Sequence, residues 1–134
     1  PGGMRPVPIT TSRGLALADY DGDGDVDIAI VDRDEPVRLL RNDRATPGRW
    51  IGFTVLDQHG HEALGAIVTL ETSVGVQHRL VHRTAGYLAS HDPRVHFGLP
   101  AGATIQEVRV RWPDGREGSF DARPAGTYHN LRPE

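Results

Sequence analysis

The chain has 134 residues, of which 37% are hydrophobic and 25% charged, with a net charge of −3. That length excludes a complete β-propeller, which needs roughly 4–8 four-stranded blades, and the composition excludes a disordered tail. No cysteine is present, which rules out disulfides, cysteine-based zinc sites and thiol nucleophiles. No apolar run approaches the ~20 residues of a membrane-spanning helix.

All 15 basic residues are Arg. This fits codon bias in a GC-rich bacterial genome better than nucleic-acid binding, because the Arg are scattered and the net charge is negative. Residues 1–13 open on Pro-Gly-Gly-Met and read as a tag or cut edge, not as a leader peptide.

Short β-like runs follow, punctuated by 16 Gly and 10 Pro. They span 14–18, 26–31, 37–41, 50–56, 66–70, 76–82, 94–97, 105–112, 116–121 and 127–131. In the second run Val26, Ile28 and Ile30 alternate with Asp27 and Ala29, the period of a strand with one buried face. Val108 and Val110 alternate with Arg109 and Arg111 in the same way. Trp112-Pro113-Asp114-Gly115-Arg116 has the chemistry of a tight turn and predicts a hairpin. Ser73-Val74-Gly75 predicts another. No window carries a 3.6-residue period, so the fold class is all-β. The polar stretch 42–49 is a candidate boundary, and no internal repeat is visible.

Acidic charge is concentrated. Residues 19–35 hold eight carboxylates against the single Arg33. Within them, Asp19-Tyr20-Asp21-Gly22-Asp23-Gly24-Asp25-Val26-Asp27 fits D-x-D-x-D-G-x-x-D. Ca²⁺ takes six to eight oxygen ligands. Asp19, Asp21 and Asp23 stand at loop positions 1, 3 and 5, where their carboxylates can converge on one ion. Gly24 permits the sharp turn, the Asp25 carbonyl can point inward, and Asp27 would close the site. Mutual repulsion among these carboxylates calls for a cation. Mg²⁺ is less suited, since it demands near-octahedral geometry. An EF-hand would place Glu at position 12 between helices; here position 12 is Ile30 and the flanks read as strands.

These residues resemble known modules. LALADYDGDGDVDIAIVD (15–32) resembles an FG-GAP or VCBS-type repeat, the calcium-loop blade of integrin-like propellers, and VRLLRN (37–42) is similar to its following strand. From Trp50 onward the chain is similar to the ASPIC/UnbV domain, found beside FG-GAP repeats in many bacterial proteins. The stretches that carry this likeness are ALGAIV (63–68), GYLAS (86–90), DPRVHFGL (92–99) and VRVRWPDGR (108–116). The resemblance implies a calcium-binding repeat over 14–49 and a small β-domain over 50–134. It assigns calcium to Asp19, Asp21, Asp23, Asp25 and Asp27. The implied architecture is one propeller-type blade or hairpin plus a small antiparallel β-sandwich or barrel. A single blade has open strand edges, which offer a route to self-association. Tyr87, Leu88, Phe97, Leu99 and Trp112 are expected in the core.

Other chemistry is weaker. His59/His61 and His78/His82 could pair on a metal, but no Cys joins them and no helix presents an H-E-x-x-H arrangement. Ser90-His91-Asp92 makes a poor triad, because triads are assembled from distant positions and need an oxyanion hole. Gly22-x-Gly24 is no phosphate cradle among five carboxylates. Arg109, Arg111 and Arg116 read as the solvated face of a strand.

The expectation is a Ca²⁺-binding, non-catalytic interaction or scaffold module, the C-terminal part of a larger β-propeller protein. Its partner would be an unidentified protein or small molecule, with no nucleic acid and no membrane span. Family habit and millimolar external Ca²⁺ point to a secreted or extracytoplasmic setting. The alternative is a catalytic or accessory protein of bacterial specialised metabolism, of the enediyne type. Glycan recognition by the small β-domain is a third, weaker reading.

Overall fold

The computed structural model describes residues 11–43, 49–84 and 86–133. Among them there is no helix and there are ten strands: β1 (Ser12–Ala18), β2 (Asp27–Asp32), β3 (Arg38–Leu40), β4 (Arg49–Val55), β5 (Ile67–Thr72), β6 (Gly75–Leu80), β7 (Val95–Leu99), β8 (Ile105–Arg111), β9 (Glu117–Asp121) and β10 (Tyr128–Leu131). Each falls on one of the ten runs expected from the sequence, within two residues at either end. The expected residues 1–10 of the cut edge and residues 44–48 of the boundary lie outside the described residues.

The strands form three sheets, none closed into a barrel. β1–β2–β3 is antiparallel; β6–β5–β8–β9 is antiparallel; β10–β4–β7 is mixed. The sheets β6–β5–β8–β9 and β10–β4–β7 share one core. β5 and β8 contribute Val68, Leu70, Val108 and Val110, while β4 and β7 contribute Ile51, Phe53, Val55, Val95, Phe97 and Leu99. Full burial of such side chains stabilises by about 1.5–3 kcal/mol each. Where β6 and β7 run side by side, side chains close the seam. Gln77 Nε2 donates to the Gly98 carbonyl at 3.0 Å, and Arg79 Nε donates to the His96 carbonyl at 3.3 Å.

β10 pairs with β4 in parallel, so the sheet it joins is mixed, within the small antiparallel β-sandwich or barrel that was expected. Alternation sets which face of a strand is buried, but it is blind to strand direction. The turn at Trp112–Arg116 forms as expected. Gly115 takes φ +88°, and the Trp112 N–H donates to the Arg116 carbonyl at 2.9 Å. The expected core residues Phe97, Leu99 and Trp112 are buried, but Tyr87 and Leu88 are 70% and 82% exposed. Gly86 and Ala89 bridge across a tight turn, which leaves the two side chains between them at its tip. Leu88 holds φ +49° there, a left-handed conformation costing an L-residue roughly 1–2 kcal/mol.

Trp112 ties the end of β8 to the end of β4: its indole Nε1–H donates to the Leu56 carbonyl at 2.9 Å in a buried setting. Trp112→Phe should cost about 1–3 kcal/mol, the range for leaving a buried polar group unpaired. Urea unfolding would read it as a lower midpoint with an unchanged slope.

Candidate metal centre

β4 explains where the acidic loop sits. Its residues Trp50, Ile51, Gly52 and Phe53 are all buried, so both faces of the strand are covered. Ile51 and Phe53 face the core. Trp50 and Gly52 face the other way, and there Gly52 lies in register between Tyr128 of β10 and His96 of β7. A Cβ on Gly52 would stand 2.2 Å from the Tyr128 ring, so Gly is what lets that ring lie flat on the strand. Trp50 stacks on His96 (centroids 5.2 Å apart, planes at 23°) and tilts against Tyr128 at 4.9 Å.

The acidic loop rests on this aromatic platform. A Cβ on Gly24 would stand 1.8 Å from Trp50 Nε1. β1 and β2 pair up to Ala18–Asp27, so the residues between them form the connection. Gly22 and Gly24 adopt φ of +77° and +90°, conformations that glycine takes without steric penalty.

Asp19 and Asp27 are buried at the base of the loop, 5% and 2% exposed. Asp19 Oδ1 accepts from Gly22 N at 2.8 Å; its Oδ2 accepts from Gly24 N at 3.2 Å and from the Tyr128 hydroxyl at 3.0 Å. Asp27 accepts from Tyr20 N at 2.9 Å and from Asn42 N at 2.8 Å. Asp21 and Asp23 are exposed and accept from the N–H groups of Asp23 and Asp25. Arg94 clamps the site from β7's side. Its Nη2 donates to the Asp19 carbonyl at 3.1 Å, and its guanidinium lies 4.1 Å above the Tyr128 ring. The bond to Asp92, together with that carboxylate's charge, raises the Arg94 pKa despite burial. Burial first, and then the Asp19 carboxylate, push the Tyr128 phenol upward, so the hydroxyl stays a donor. Burial holds His96 below the ordinary imidazole value, against an opposing pull from the Gly24 backbone and Asp19.

Of the five loop carboxylates singled out from the sequence, three converge: oxygens of Asp19, Asp21 and Asp27 all lie within 4.8 Å of one another. Two oxygens bound to one Ca²⁺ at about 2.4 Å can be no more than about 4.8 Å apart, and the three carboxylates meet that bound. Asp23 groups with Asp21 and Asp43 instead. Asp25 belongs to neither group. Arg41 Nε reaches both Asp21 and Asp43 at 2.7 Å and supplies positive charge at the rim. Asp43 was missed because no motif spacing reaches it; it arrives through the β2–β3 pairing. The donor set is all oxygen, which suits a hard cation.

The other candidates disperse. Among the described residues no His belongs to a three-ligand cluster. His78 Nδ1 is bonded to Thr69 Oγ1. In the Ser90-His91-Asp92 trio, Asp92 is held by Arg94 at 2.6 Å and His91 Nδ1 accepts from Leu17 N, so no relay to Ser90 forms. Arg109 pairs with Glu71 and Glu107, and Arg116 with Asp114.

Residues 57–134 match the family described as ASPIC and UnbV. The chain belongs to the ASPIC and UnbV family. It is also similar to Cartilage acidic protein 1 of Mus musculus and of Homo sapiens, 31% identical over 83 residues in each case, and to that of Xenopus tropicalis, 30% identical over 83 residues. The similar segment is 61% of this chain, and it spans only 12–13% of these relatives. β4 precedes the matched residues and lies between β10 and β7, which fall within them. Trp50 of β4, with His96 and Tyr128 of the matched residues, forms the seat of the acidic loop.

Proposed function

We propose that the chain is a calcium-binding, non-catalytic interaction or scaffold module. In this reading an FG-GAP/VCBS-type repeat joins the ASPIC and UnbV domain as the C-terminal part of a larger, secreted, bacterial β-propeller protein. The observation that carries it is the convergence of Asp19, Asp21 and Asp27 within 4.8 Å in a loop seated on the family domain. Asp19 and Asp27 would hold the ion from the base and Asp21 from the rim, displacing Arg41. Calcium there would fix the loop without taking part in a reaction. Exposed apolar side chains on the β1–β2–β3 sheet, among them Leu15, Val31 and Leu39, support a surface that meets other protein. The alternative role in specialised metabolism finds no support in the family match or in the site.

Isothermal titration with CaCl₂ tests the reading. A single saturable site is expected. Asp21→Asn, which removes one charge at an exposed position, should weaken it about tenfold, within the reach of losing one ligand. A wild-type chain that takes up no Ca²⁺ would overturn the proposal.

A further inference from the structure

Among the described residues, the outer edge of β1 is hydrogen-bonded at Leu17 to residues of the ASPIC and UnbV domain. The Leu17 N–H donates to His91 Nδ1 at 3.1 Å, and the Leu17 carbonyl accepts from Asp92 N at 3.2 Å. The His91 N–H in turn donates to the Arg83 carbonyl at 2.7 Å, which fixes the segment that presents the ring. A main-chain N–H can only donate, so His91 Nδ1 must be unprotonated to accept from it. The neutral ring then carries its proton on Nε2. That atom is buried and finds no hydrogen-bond partner among the described residues. A Cβ on Gly86 would stand 3.6 Å from it, so the bare Gly86 backbone is its neighbour.

We propose that His91 is a pH-sensitive latch between the β1 edge and the ASPIC and UnbV domain. Imidazole is the side chain whose charge ordinarily changes between pH 5 and 8. A second proton on the ring turns the acceptor facing Leu17 N–H into a donor, so the bond becomes a repulsion. Protonation would also place positive charge on an enclosed Nε2–H without a partner, whereas in water the charged ring is solvated. Acid therefore drives the ring out and releases the edge.

The surrounding charges do not replace the lost acceptor. Asp92 is committed to Arg94, and Arg83 is paired with Glu62. Arg13 and Tyr87 line the groove on one side of the ring. Asp19, Arg79, His82, His96 and Tyr128 line the cleft on the other. Asp19 is already engaged by Gly22, Gly24 and Tyr128. Release would uncover backbone groups of the kind that pair with another strand.

The test is amide hydrogen exchange at Leu17 in the whole chain between pH 8 and pH 5.5, corrected for intrinsic exchange. Protection should fall about tenfold in the wild type, the equivalent of one hydrogen bond. In His91→Asn the side-chain oxygen stands near the Nδ1 position and accepts without titrating, so protection should stay level across the range. Wild-type protection that does not change, or an equal fall in His91→Asn, would overturn the latch. A wild-type ¹⁵N spectrum keeps the proposal falsifiable if His91→Asn folds poorly: a proton on His91 Nδ1 at pH 8 would overturn it as well.

Discussion

Gly24→Ala is expected to destabilise the chain by about 3–4 kcal/mol, while Gly22→Ala, two residues away, costs only about 1–2 kcal/mol. Both glycines have positive φ, +77° and +90°, and a Cβ in that region costs roughly 1–2 kcal/mol by itself. The difference is what lies beyond the Cβ. At Gly22 nothing stands within 4 Å, whereas at Gly24 the Trp50 ring stands at 1.8 Å. Trp50 has no room to yield, because His96 and Tyr128 are packed against it. Overpacking of this kind adds typically 1–3 kcal/mol. Thermal melts of the two variants in EDTA would separate the terms, since neither then depends on a metal. Equal shifts would show that the loop is not seated on Trp50. In a Trp50→Ala background Gly24→Ala should cost no more than Gly22→Ala does in the wild type, if the clash is the cause.

The strand pattern was legible most directly where one face meets an apolar core, as in β5 and β8, because period-2 alternation marks that face. β4 breaks the rule instructively. Trp50 and Gly52 interrupt what would be a one-faced strand, because its second face is also covered, by Tyr128 and His96. That cover comes from residues far along the chain, so no local pattern announces it. The same is true of the parallel β10–β4 pair. The acidic loop was legible as a ligand-type motif, since its carboxylates and glycines lie within nine consecutive residues. Its division was not: Asp23 turns toward Asp43 rather than toward Asp19 and Asp27. Tyr87 and Leu88 were misread because an apolar side chain reads as core from sequence alone, whereas the tight turn between Gly86 and Ala89 turns both outward.

Calcium at 100 times its dissociation constant is expected to stabilise the folded chain by about 2.7 kcal/mol relative to EDTA, a rise in melting temperature of roughly 10 °C for a chain of this size. The gain requires that the ion bind the folded state alone. The structure supplies the reason: Asp19 and Asp27 sit on opposite sides of the β1–β2 connection, and they approach Asp21 only when that pair is formed. In the unfolded chain the same carboxylates separate and repel, so little affinity remains there. Asp19→Asn should lose most of the calcium-dependent rise, since Asp19 is a member of the converging group and the residue held by Tyr128. Asp34→Asn, an exposed carboxylate paired with Arg33 outside the loop, should keep it. Mg²⁺ at the same concentration should give a smaller rise, because it holds its waters and demands stricter geometry. A melting temperature that is the same in EDTA and in saturating Ca²⁺ would mean that the loop is held by its own hydrogen bonds, by Arg41 and by the Trp50 platform, with no ion required.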